Sequence, residues 1–158
     1  MNDDTSGHIF QIGFSDGGVP KLAVQQAEID ALGVKGDRHN HPEVHGGPKA
    51  ALCVYALERI VSLQAEGHPV FPGALGENLI ITGIDWSLVT PGARLRLGQE
   101  VLLEVTQYTS PCKTIMPYFT DGDYGRISQN LHPGWSRVYT RVLQPGVIRT
   151  GDRVTLEG

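Results

Sequence analysis

Glycine limits what this chain can become. Twenty of its 158 residues are glycine and ten are proline, with glycine at close to twice ordinary usage. Neither follows a collagen-like period or gathers in one tract. Long helices are disfavoured, because each interior glycine or proline weakens or breaks one. Short strands joined by tight turns accommodate both residues, so the expected class is mainly β.

The apolar pattern agrees. Gly7–Phe14 reads as a strand closed by Ser15-Asp16-Gly17-Gly18 and Pro20, and Leu22, Val24 and Ile29 suggest a second and third before Gly33. Ala50–Tyr55 is a buried strand by its continuous apolar run. Leu57, Ile60, Val61 and Gln64 fall at helical spacing and stop at Gly67, which gives one clear helix. Leu79–Thr82 is a short strand, and Asp85 is placed to cap a helical turn through Leu88. Residues 93–97 and 100–108 form a hairpin around Gly98-Gln99, with a short helical turn expected over Ile115–Tyr118. Trp135–Leu143, Val147–Ile148 and Arg153–Leu156 supply two or three more strands. The sum is a closed or nearly closed β-barrel in a single domain, 1–158, with a core from about 7 to 156.

Several function classes are excluded at this level. Lysine and arginine number 13 against 17 aspartates and glutamates, a net charge of −4, where a phosphate-backbone reader carries a basic excess. No nucleic-acid partner is expected. The longest apolar run, Ala50–Leu57, is too short to span a bilayer. The acidic start MNDDTSGHIF is unlike a secretory or transit segment. Two cysteines cannot make a disulfide framework, and free thiols suit a reducing compartment, so a cytoplasmic location is expected. No Gly-x-Ser-x-Gly elbow or GxGxxG loop occurs.

Three places can carry chemistry. Cys112 follows Thr109-Ser110-Pro111 at the end of a strand, and Lys113 supplies a positive charge of the kind that favours a thiolate. The same position suits a small apolar loop residue. Cys53, inside an apolar run, reads as a core residue. The polar loop Gly36–Lys49 holds His39, His41 and His45, a spacing open to a transition metal. Alternatively, Arg38, His45 and Lys49 with Gly46-Gly47 offer donors for a phosphate or other anion. Glu77 and Asn78 end a Pro/Gly-rich loop, as ordinary turn residues or as polar groups at a pocket mouth. Arg137, Tyr139 and Arg141 alternate along one face of a late strand; a solvated sheet face is the plain account and is favoured for Arg141.

Taken in order, Gly36-Asp37-Arg38, His45–Ala50, Gly73–Leu79, Pro91-Gly92 through Gly98, Ser110-Pro111-Cys112, HPGWSRVYTRVL and Gly151-Asp152 resemble the MOSC domain. This module ends the molybdenum cofactor sulfurases and also occurs as stand-alone bacterial proteins. The resemblance implies a MOSC or pyruvate-kinase-type β-barrel with a pocket for the molybdenum cofactor (molybdopterin). It also implies that Cys112 carries sulfur as a persulfide or ligates the molybdenum. Arg38, His45 and Lys49 would then cradle the cofactor's anionic end, and Glu77 and Asn78 its polar face. Relatives with enzyme activity reduce N-hydroxylated compounds, so a small-molecule substrate and a separate electron-transfer protein or sulfur donor are the expected partners. The sulfurases' pyridoxal phosphate domain has no counterpart here. Where relatives often have an arginine before Pro-Cys, this chain has Tyr108, Thr109 and Ser110. The competing readings are a non-catalytic small-ligand or protein-interaction module on the same barrel, and a zinc hydrolase using His39, His41 and His45.

Overall fold

The computed structural model of the protein describes residues 4–14, 19–36 and 47–157. Eleven strands are present among them: β1 Ser6–Phe14, β2 Leu22–Val24, β3 Gln26–Asp30, β4 Gly33–Val34, β5 Leu52–Ala56, β6 Leu79–Thr82, β7 Arg94–Leu97, β8 Val101–Tyr108, β9 Val138–Gln144, β10 Gly146–Arg149 and β11 Arg153–Glu157. One α-helix, α1 (Leu57–Ala65), joins β5 to β6. Short 3₁₀ turns fill Lys113–Tyr118, Thr120–Gly122 and Tyr124–Ile127.

Seven strands close into a barrel in the order β11-β7-β8-β9-β5-β6-β1, sealed where β1 pairs with β11. β2 extends the sheet beyond β1, and β10-β3-β4 form a separate small sheet. The expected class is therefore the observed one. Within the barrel only β5 and β6 run parallel. A parallel pair needs a crossover rather than a hairpin, and α1 lies in that connection. Gly92 and Gly151, each two residues before an arginine, precede β7 and β11, which pair antiparallel with Arg94 opposite Glu157.

Barrel closure depends on a close approach at Gly7. It faces Val154 of β11, and a Cβ there would collide with the Thr82 carbonyl oxygen at the end of β6. Three backbones meet where only glycine fits. Ile9, Ile12, Leu52, Val54, Leu79, Ile81, Leu95, Leu103 and Val154 are among the buried residues of the main core.

One helix face and two strand starts differ from the sequence reading; the strand expected from Ala50 begins at Leu52, after a 3₁₀ turn over Pro48–Ala50. The helix buries Ile60 and Leu63, while Val61 is 52% exposed and Gln64 faces solvent. Apolar residues at 57, 60, 61 and 63 permit more than one stripe on so short a helix, and packing against β5 and β6 selects the one through Leu63. The late strand begins at Val138 rather than Trp135. The carbonyls of Gly134, Trp135 and Ser136 accept side-chain donors instead: Arg59 Nε (2.9 Å), the Tyr55 hydroxyl (2.5 Å) and Trp86 Nε1 (3.0 Å). The expected Asp85 cap is present, accepting from the Ser87 backbone N–H at 3.0 Å at the head of a 3₁₀ turn through Leu88.

Candidate functional site

Cys112 is a free, half-buried thiol. It follows β8 by four residues and caps the 3₁₀ turn Lys113–Tyr118 with extended backbone, its carbonyl accepting from Ile115 at 3.2 Å. Lys113 is exposed at the first position of that turn. The arm from Thr109 to Cys112 is tied to the segment before β9. The Thr109 N–H donates to the Arg137 carbonyl at 2.9 Å, and the Ser136 hydroxyl donates to the Thr109 carbonyl at 3.2 Å.

The Gly73–Asn78 loop folds around its own carboxylate. Glu77 accepts from the backbone N–H of Leu75 (2.7 Å) and Gly73 (3.3 Å). Asn78 bridges three strands as β6 begins. Its Oδ1 accepts from the Cys53 N–H at 3.0 Å, its backbone N–H donates to the Cys53 carbonyl at 2.9 Å, and its carbonyl accepts from Gly13 at 2.7 Å. Both side chains are fully enclosed, so they line the interior and not an open mouth. Gly73 lets Lys21 approach: φ is +93°, and a Cβ would strike the Lys21 carbonyl oxygen. The Lys21 N–H donates to the Gly73 carbonyl at 2.8 Å.

Arg137 enters the same enclosed region. It is 5% exposed, and its Nη1 donates to the Leu75 carbonyl at 2.7 Å. Its Nε is buried without a hydrogen-bond partner. Lys21, at 4% exposure, is the second buried cation. Cys53 on β5 stands opposite Tyr139 on β9 and clusters with Ala50, apart from the main core. Its sulfur lies 3.9 Å from the Thr109 hydroxyl.

The electrostatics of the group are mutual. Burial pushes the Cys53 thiol up, opposed by the positive charges of Arg137 and Lys21 and reinforced by Glu77. Burial likewise raises the Glu77 carboxyl, against the loop N–H groups and Arg137. The Tyr139 phenol is raised by burial and by the charges of both Cys53 and Cys112. Arg137 and Lys21 thus bring positive charge toward the buried Cys53, and Glu77 brings the opposing charge.

The structure thus brings Cys112, Glu77 and Asn78 toward one cluster and places Lys49 at its edge. Lys49 is exposed, and the next residue, Ala50, contributes to the Cys53–Tyr139 cluster. Arg38, His39, His41 and His45 lie outside the described residues. Among the described residues no group of His, Cys, Asp or Glu is arranged to hold a metal ion. Sequence reasoning missed Lys21 and Arg137. The solvated-face reading favoured for Arg141 holds, since Arg141 is exposed; Arg137 precedes the strand and turns inward. Nothing in the local pattern marks Lys21 as buried.

Comparison with known proteins bears on the family and the barrel. The family model for the MOSC domain matches residues 41–155. Protein YiiM of Escherichia coli (strain K12) is 34% identical over 137 residues, covering 80% of this chain and 59% of that protein. A protein named "Reductase" from Gibberella moniliformis is 34% identical over 131 residues, which is 80% of this chain and 23% of that protein. The chain thus spans less than two thirds of these curated relatives. The crystal structure of YiiM from Escherichia coli superposes with a TM-score of 0.72 and 26% identity, over 97% of this chain and 70% of that one. On the matched segment and the shared barrel, the chain belongs to the MOSC domain family.

Proposed function

We propose that this chain binds the molybdenum cofactor through Cys112 and acts in a two-electron reduction or in sulfur transfer on that cysteine. The observation that carries the reading is a half-buried free thiol beside an enclosed cluster that holds a guanidinium with a buried, unpartnered Nε. A soft thiolate suits molybdenum and a sulfane sulfur alike, and a guanidinium donor suits an anionic guest. The residues present therefore fit the group that the family implies. When bound, the metal centre supplies two-electron redox chemistry.

The chain's own residues have separable tasks. Cys112 holds the metal or the sulfur at the mouth, and Lys113 adds positive charge next to it. Asn78 fixes β5, β6 and β1 so that the enclosed wall keeps its shape, and Glu77 fixes the loop carrying it. Arg38, His45 and Lys49 are proposed to meet the cofactor's anionic end. For an N-hydroxylated substrate, reduction to the amine takes two electrons and two protons and releases water. The electrons come from a separate electron-transfer protein; in sulfur transfer, a separate donor supplies the sulfur. The name of the Gibberella relative favours a reduction. A non-catalytic module would tolerate a sealed cysteine, whereas Cys112 is partly exposed.

The test is metal and pterin content of protein made in a host that synthesises the cofactor, wild type beside Cys112→Ala. Stoichiometric molybdenum and pterin in wild type, with loss of at least tenfold in the variant, is the expected result. Full loading of Cys112→Ala would remove the thiolate from the proposal.

A further inference from the structure

Beyond Cys112 the chain is tied to the rest of the fold by few polar contacts. Residues 113–123 run through successive 3₁₀ turns whose backbone bonds are local: the N–H of Phe119 to the Met116 carbonyl, Gly122 to Phe119 and Asp123 to Thr120. Ile115 and Phe119 are the buried side chains of the stretch. Among the described residues, its hydrogen bonds to segments distant in the chain are made by Thr120 alone. The Thr120 hydroxyl donates to the Gly67 carbonyl at 2.8 Å, and the Thr120 N–H donates to Nδ1 of His68 at 3.0 Å. A backbone tie of this stretch thus ends on a titratable side chain.

His68 is itself held in place. Its N–H donates to the Leu63 carbonyl in the last turn of α1 at 3.1 Å, and its side chain is 9% exposed. The ring lies against Phe119, with centroids 5.2 Å apart. Nε2 stands 3.6 Å from a Glu66 oxygen, the same oxygen that accepts from Arg126 Nε at 2.9 Å. The charges around the ring are therefore Glu66 at the end of α1 and, through it, Arg126 on the Tyr124–Ile127 turn. Phe119 and Thr120 bring no charge, and Asp121 beyond them is exposed. The Arg126 hydrogen bond holds the Glu66 carboxyl below its usual range, so this carboxylate stays charged while a histidine titrates.

We propose that His68 is a protonation-sensitive positioning residue that latches the stretch beginning at Cys112 to the end of α1 when neutral and releases it when charged. In the neutral ring the proton sits on Nε2 toward Glu66, and the Nδ1 lone pair takes the Thr120 amide. An imidazole nitrogen accepts only while it is unprotonated. A proton on Nδ1 sets one N–H against another, so the Thr120 amide loses its acceptor while the imidazolium remains beside the Glu66 carboxylate. Histidine changes charge between about pH 5 and 8. The latch is therefore closed at the alkaline end of that range and open at the acid end. Opening loosens the far end of the segment whose near end is Cys112. The latch needs no cofactor; its consequence for chemistry at Cys112 rests on the functional reading above.

Hydrogen exchange of cofactor-free protein tests this, read on the peptide spanning 113–123 at about pH 5.5 and about pH 8 and normalised to the intrinsic rate at each. Protection of the Thr120 amide in wild type is expected to fall about tenfold on acidification, the scale of one lost hydrogen bond. In an NMR titration the Thr120 amide and the His68 ring protons are expected to share one midpoint. His68→Asn keeps an oxygen acceptor that does not titrate, and is expected to stay protected at both pH values. His68→Phe keeps the packing on Phe119 without an acceptor, and is expected to be unprotected at both. Alkylation of Cys112, relative to a free cysteine peptide at the same pH, is expected to rise on acidification in wild type and not in His68→Asn. Equal protection of wild type at the two pH values, separate midpoints, or an acid loss in His68→Asn would overturn the latch. Latch opening without any change at Cys112 would overturn its positioning role. None of these measurements involves molybdenum or pterin, so failure of the latch and failure of cofactor binding are told apart.

Discussion

At the scale of single residues, the two cysteines show how one side chain acquires two characters. Cys112 sits at the end of an irregular arm, half open to water. Cys53 is 5% exposed under Thr109, and burial holds its thiol above the usual range. Since the thiolate is the reactive form, iodoacetamide in native buffer should label Cys112 first. Cys53 should remain unlabelled at pH 7 and at pH 9 until the protein is unfolded. Peptide mass spectrometry reads both sites, and equal native labelling of the two would contradict the assignment. The sequence distinguished these cysteines through their neighbours, an apolar run for one and Thr-Ser-Pro for the other. It gave no such warning for Lys21 and Arg137. Charged residues default to the surface, and their burial depends on partners contributed by Gly73 and Leu75, more than fifty residues away in the chain.

At the scale of elements, the stretch between β8 and β9 is held by side chains more than by ladders. Arg126 donates to both oxygens of Glu66 at 2.9 and 2.8 Å and stacks on Trp135. Removing that guanidinium in Arg126→Ala is expected to destabilise by about 1–2 kcal/mol, the scale of one cation–π contact plus one partly exposed ion pair. Denaturant melts would show it, with a change in Trp135 fluorescence. The hydrogen bond from Arg126 holds the Glu66 carboxyl below its usual range. A depressed carboxylate contributes stability above its unfolded value, about 4.3, and loses it as pH falls through the folded value. Glu66→Gln should therefore cost most near neutrality and converge on wild type in acid; a pH-independent difference would contradict this linkage. None of this was legible beforehand, because Trp135 alternates well enough with its neighbours to pass for strand. Its capture by donors on β5, α1 and the turn at Trp86 is a tertiary event.

At the scale of the whole molecule, closure is what converts a row of short strands into a rigid wall. β1 is the strand shared between β6 and β11, and Gly7 is where they meet. Gly7→Val would place a branched side chain against the Thr82 carbonyl. It is expected to cost about 3 kcal/mol or more, at the upper end for overpacking, and to lower the unfolding midpoint accordingly. A variant that melts like wild type would show that the seam tolerates opening. The helix has less effect on closure, and Val61→Ala on its exposed face should leave the midpoint nearly unchanged.

The sequence by itself determined the class, the rough span of the longer strands, the single helix, the Asp85 cap and the position of Cys112 between a strand and a short helical turn. Each of these is written in local signals: turn residues, short periodicities, and a cysteine outside any apolar run. Tertiary structure alone decided which helical stripe faces the sheet, where the late strand starts, and that Glu77, Lys21 and Arg137 share one enclosed volume. Those outcomes depend on distant backbones coming together around a closed barrel. Burial of a charge is a property of the surroundings that closure creates, and no residue carries it in its own neighbourhood of the chain.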